Sequence, residues 1–108
     1  MAGRQLSYAA VSVLYAIADG VAYGFDVMDR TELPSGTVYP ALSRLERDGY
    51  VKSHWEDPVK AHDDRRPPRR YYRITARGET VLADALKRFH ALKPLRSGIA
   101  GRPARARA

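Results

Sequence analysis

Arginine is the residue whose placement suggests chemistry in this chain. Residues 65–77 hold Arg65, Arg66, Arg69, Arg70, Arg73 and Arg77 with no acid among them, and residues 96–108 hold Arg96, Arg102, Arg105 and Arg107, again without an acid. The net charge is +7, from 19 Lys+Arg against 12 Asp+Glu, and the last stretch alone supplies four of those charges. Guanidinium groups carry a permanent charge and several N–H donors, so two acid-free arginine stretches imply a polyanion as partner. Solubility is the plainer reading of the second stretch. A third group of polar residues stands at the start of an amphipathic run, PSGTVYPALSRLERDGYV, where Ser35, Gly36, Thr37, Tyr39, Pro40, Ser43 and Arg44 are interleaved with apolar positions. Small residues allow close backbone approach, Tyr39 reaches further, and Arg44 can pair with a guanine edge, hold a phosphate, or bond Asp48 one turn on.

Other chemistries find no footing. The absence of cysteine excludes disulfides, thiolate metal sites and a thiol nucleophile. Ser35 lacks a Gly-x-Ser-x-Gly context, no glycine-rich loop is built to cradle phosphates, and His54, His62 and His90 lack metal-ligand spacing. His62-Asp63-Asp64 reads as a solvated loop tip. An enzyme, a cofactor and a bound metal are therefore not expected.

The arginines and hydroxyls need elements to position them. Leu6, Ala10, Val13, Leu14 and Ile17 recur at helical spacing up to Ala18, and Asp19-Gly20 closes that helix. Val11 and Tyr15 lie off the stripe, so the helix is apolar on two sides and calls for a second packing partner, such as another subunit. A second helix is predicted over 23–30, with Phe25, Val27 and Met28 as its buried residues. The turn Glu32-Leu33-Pro34-Ser35 leads to a third helix over 36–48, buried on Val38, Leu42 and Leu45 and ended by Gly49. Ser35 or Thr37 can cap it; if Thr37 does, Pro40 falls in the first turn, where an N–H has no intrahelical use. Free N–H groups at such a helix start also suit a phosphate.

From Tyr50 the period changes to alternation. Strands are predicted over 50–56 and 70–75, joined by a long polar loop with three prolines. Thr75 then caps a last helix running to Lys93, with Val81, Leu82, Ala85, Leu86, Phe89 and Leu92 on a broad apolar face; Pro94 stops it. The remaining Arg/Ala-rich tail has no periodicity and is expected to be disordered. The fold class is mainly α with a two-stranded hairpin, a winged helix-turn-helix over 1–75 followed by a helix over 76–93. In that arrangement the third helix enters the major groove and the hairpin lies along the backbone. No segment approaches ~18 uninterrupted apolar residues, and the N-terminus lacks the form of a signal peptide, so the expectation is a cytoplasmic protein. The rival reading is a winged-helix module for protein contacts or RNA.

GTVYPALSRLERDGYV and RRYYRITARGETVL, with Tyr23-Gly24-Phe25-Asp26 before them, resemble the PadR family of bacterial transcription regulators over about residues 6 to 92. The resemblance implies a dimeric repressor that binds a palindromic double-stranded DNA operator and releases it when a small-molecule effector binds at the dimer interface. It places DNA contacts on Ser35, Gly36, Thr37, Tyr39, Pro40, Ser43 and the basic wing (Arg65, Arg66, Arg69, Arg70). It also places the dimer contact on the last helix and the first: Leu6, Val11, Tyr15, Val81, Leu82, Ala85, Phe89 and Leu92. The chain looks like the short-tailed kind, with one C-terminal helix.

Overall fold

The computed structural model describes residues 6–90. Helix α1 (Tyr8–Ala18) starts two residues after Leu6, because the Ser7 side chain accepts the Ala10 N–H at 3.1 Å and so fixes the first turn. Its apolar residues surround the helix, and Val11, Val13 and Leu14 are fully buried. Packing partners for α1 come from within the chain: it touches the second, third and last helices and the second strand.

Helix α2 (Gly24–Thr31) buries a narrower apolar face than predicted for it. Val27 is buried and Met28 partly so, but Phe25 is 69% exposed rather than core. Arg30 pairs with Asp19 and ties α2 to the end of α1.

Helix α3 (Ser35–Arg47) begins one residue earlier than expected, with Pro34 in the cap position and no side-chain cap, so neither Ser35 nor Thr37 plays that role. Pro40 consequently lies in the second turn. Its missing N–H leaves the Gly36 carbonyl without a helical donor, a defect that is tolerable because Gly36 is exposed to water. The helix ends in a Schellman motif around Gly49 (φ 83°), with Tyr50 N–H bonding Leu45 O at 2.9 Å and Gly49 N–H bonding Glu46 O at 3.0 Å.

Strands β1 (Val51–Trp55) and β2 (Arg70–Ile74) pair antiparallel, Val51 opposite Ile74 and Trp55 opposite Arg70. β2 is bonded on its other side too: the Tyr72 N–H reaches Ala22 O at 2.6 Å, and Tyr23 bridges to Tyr71. The connecting segment is not a plain loop. It contains a short helix, α4 (Pro58–Asp63), whose start is an Asp57 side chain accepting from Val59 N–H at 2.9 Å with Pro58 in the first turn; Ala61 is its buried residue.

Helix α5 (Ala76–His90) opens as predicted on Thr75, whose hydroxyl accepts the Gly78 N–H at 3.0 Å and donates to Gly49 O at 2.7 Å. Gly78 permits this junction, since a Cβ there would overlap the Tyr50 carbonyl oxygen. Leu82 and Ala85 join the core built by α1, α3 and β1. The expected run of this helix to Lys93, its stop at Pro94 and the disordered tail lie outside the described residues.

Candidate nucleic-acid interface

On α3 the buried positions are Val38, Ala41, Leu42 and Leu45, the spacing of one helical face. That leaves Ser35, Gly36, Tyr39, Pro40, Ser43, Arg44 and Arg47 exposed and Thr37 half-buried on the other side. The Thr37 and Val38 N–H groups bond Pro34 O at 2.9 and 3.0 Å, while those of Ser35 and Gly36 stand ahead of any helical acceptor. Arg44 makes no ion pair among the described residues, and Asp48, one of its candidate partners, is bonded by Arg47 instead, Nε to Oδ1 at 3.3 Å. Tyr39 is 45% exposed, and the rest of its ring lies on Gly24: a Cβ at that glycine would stand 2.5 Å from Tyr39 Cε1. The bare backbone of α2 is thus the seat that aims Tyr39 outward.

The wing is different from its sequence expectation. The sequence presents Arg65, Arg66, Arg69 and Arg70 as four phosphate-facing cations, and the structure leaves Arg65 alone of the four without an internal partner among the described residues. Arg65 stands exposed in a left-handed conformation (φ 61°) just after α4. Arg66 is held by Glu56 through two parallel bonds, Nη1 to Oε1 at 2.6 Å and Nη2 to Oε2 at 2.7 Å, with Asp64 at 3.2 Å. Glu56 is only 6% exposed and also accepts the Arg69 N–H at 3.2 Å, while its own N–H bonds Arg69 O at 2.7 Å. The Arg66 hydrogen bonds hold the Glu56 carboxyl down at about 2, and Glu56 in turn raises Arg66. Arg69 donates to the Tyr23 hydroxyl at 2.9 Å with its guanidinium 4.5 Å above that ring. Arg70 donates to Ser53 Oγ at 3.0 Å and to Glu46 at 3.1 Å, and Ser53 donates to Glu46 at 2.6 Å, which clamps both strands to the last turns of α3. Arg66 is therefore committed to Glu56 within the wing, and Arg69 and Arg70 are cations braced in place.

Sequence reasoning missed Glu56, Glu46 and Tyr23 as the groups that set the wing. Their partners lie 10, 24 and 46 residues away, which no local spacing reveals. The Asp57-Pro58 start of α4 was legible, as an N-cap followed by a proline.

The residues expected at a dimer contact divide as well. Val11 and Ala85 have no exposed surface and Leu82 has little, so these three join α5 to α1 inside one chain and are core. Leu6, Tyr15 and Val81 pack at the edge of that core and keep surface. The Phe89 side chain and Leu92 lie outside what the structure describes.

Three helices, a hairpin laid beside the third, and an outward α3 face of small, hydroxyl, aromatic and basic side chains define a winged helix-turn-helix protein of the DNA-binding, transcription-regulating class. The sequence profile of the transcriptional regulator PadR-like family matches residues 13–84, and the chain belongs to that family. Solved structures agree. A PadR family transcriptional regulator from Eggerthella lenta DSM 2243 is 27% identical with a TM-score of 0.63, covering 79% of this chain and 74% of that one. A PadR family transcription regulator from hypervirulent Clostridium difficile R20291 is 21% identical with a TM-score of 0.70, covering 85% of this chain and 97% of that one; at that identity it speaks for the fold. The same holds for MarR, 24% identical with a TM-score of 0.65, covering 85% of this chain and 63% of that one. A search of the curated proteins returned no match. No helix among the described residues is long and apolar enough to cross a membrane.

Proposed function

We propose that this chain is an effector-responsive repressor that binds a palindromic operator as a homodimer in the cytoplasm. The observation that carries the reading is the outward face of α3, whose Ser35, Thr37, Tyr39, Ser43 and Arg44 have been left out of the core and stand beside a braced wing. Ser35, Gly36, Thr37, Pro40 and Ser43 allow close approach to a groove, Tyr39 and Arg44 reach the base edges, and Arg65, Arg69 and Arg70 supply the electrostatic term. Dimerisation uses the 76–93 segment and the first helix, through Leu6, Tyr15 and Val81 together with Phe89 and Leu92, and the effector binds at that contact.

The test is a titration of the promoter DNA upstream of the protein's own gene against a scrambled duplex at one salt concentration, with footprinting for the site. Preference for the promoter and a two-fold footprint are expected. Equal binding to both duplexes contradicts the operator reading. Sedimentation at micromolar concentration showing only the 12.1 kDa species contradicts the dimer.

A further inference from the structure

A cleft of about 390 Å³ runs along the C-terminal half of α2 and the turn into α3, lined by Phe25, Met28, Asp29, Glu32, Leu33 and Pro34. Its walls are apolar except at the two acids. Phe25 is 69% exposed, which leaves a large ring open to water along the cleft beside the half-buried Met28 and Leu33. The acids stand against local preference. Asp29 lies in the last turn of α2, where the helix dipole disfavours negative charge, and the basic residue of that turn, Arg30, is turned to Asp19. Glu32 caps the same helix in the left-handed region (φ 62°), which glycine or asparagine fills at less cost. Choices that the helix alone disfavours, gathered on one apolar cleft, point to a contact beyond the helix.

We infer that this cleft docks the chain's own arginine-rich segment, residues 94–108. The segment holds Arg96, Arg102, Arg105 and Arg107 with no acid, opposite in charge to Asp29 and Glu32. Leu95, Ile99 and Pro103 stand among these arginines and supply apolar contact for Phe25, Met28 and Leu33. Reach is sufficient: at ~3.3 Å per extended residue, residues 91–108 span roughly 60 Å, against 47 Å for the longest dimension of the molecule. A tethered segment meets the cleft at an effective concentration in the ~mM range, so a weak complementary contact is enough to hold it. DNA does not fit the same cleft, because the carboxylates of Asp29 and Glu32 repel its phosphates. Arginines docked here are withheld from a polyanion, so the four charges of the segment do not all add to the hold on DNA. That consequence alone rests on the function proposed above.

The chain has no cysteine, so Ala104→Cys gives one attachment point for a nitroxide among the arginines. The full chain, isotope-labelled and without DNA, is examined by NMR for amides that the nitroxide broadens. Broadening is expected at residues 25–33 and not on the outer face of α3 or the wing. Asp29→Lys with Glu32→Lys is expected to abolish it, as is salt at ~1 M, where the screening length falls to ~3 Å. Arg102→Gln, Arg105→Gln and Arg107→Gln together are expected to abolish it too, and these changes leave residues 6–90 unaltered. Even broadening over the whole surface, broadening centred on the wing, or broadening at 25–33 that survives the arginine changes overturns the docking. A mixture of labelled chains without nitroxide and unlabelled chains with it separates the two sources: broadening as strong there as in the singly prepared sample overturns docking within one chain. All of these readings are made without duplex, so they stand or fall independently of the operator reading.

Discussion

Helix α3 and the wing both present polar side chains, yet they use them in opposite ways. The outward residues of α3 are mostly uncommitted: Arg44 has no ion pair among the described residues, and Ser35, Pro40 and Ser43 face solvent. The wing is basic in sequence but internally bonded in space, with Arg66 on Glu56, Arg69 on Tyr23 and Arg70 on Glu46. Charge counted along a chain is therefore not charge available to a partner. A guanidinium fixed by a buried carboxylate shapes the surface, whereas a free one acts on it. Among the described residues the wing is thus a stiff support in which, of those four arginines, Arg65 alone has no internal partner, while α3 keeps its outward side chains open.

The largest effect should come from the corner where the two regions meet. Gly78→Ala places a Cβ against the Tyr50 carbonyl, a backbone atom that cannot rotate aside. Overpacking of this kind should cost about 3 kcal/mol, read by thermal or urea unfolding. Melting like the parent would mean that α5 is free to shift away from the α3–β1 corner. Next comes Tyr39→Ala, expected to lose about 1–3 kcal/mol on operator DNA and far less on scrambled duplex. Since its ring also covers Gly24, a small drop in melting temperature should accompany it; an unchanged operator preference would remove Tyr39 from base reading.

Glu56→Gln probes the brace. In the folded chain Glu56 stays ionised down to about pH 2, against an ordinary value of 4.5, so between those limits the unfolded chain binds more protons. This contribution to stability is complete above the ordinary value and drains away as the pH falls towards 2. Glu56→Gln should melt lower at neutral pH, and its stability should fall less steeply through the acid window. Equal acid slopes for parent and variant would show the pair to be unimportant. The smallest change is Arg65→Ala, which should leave melting alone and reduce the salt dependence of DNA binding by about one unit of slope. Arg66→Ala should do the reverse, lowering the melting temperature by leaving Glu56 without its counter-charge. Exchanged phenotypes for these two would overturn the division between free and committed arginines.

Local features of the chain were enough for most of the framework. The helical recurrence of Val38, Leu42 and Leu45, the alternation after Tyr50, the stop at Gly49 and the Thr75 cap each depend on residues a few positions apart, because backbone hydrogen bonds and helix or strand periods act over that range. The outward set on α3 followed once its buried stripe was known. Tertiary structure decided the rest. It turned Phe25 out of the core into the cleft, seated Tyr39 on Gly24, closed α1 with α5 of its own chain, and drew Glu56 and Glu46 onto arginines 10 and 24 residues away. Such pairings cost chain entropy to close and are selected only when packing has already brought the partners together, so the spacing of residues along the sequence holds no trace of them.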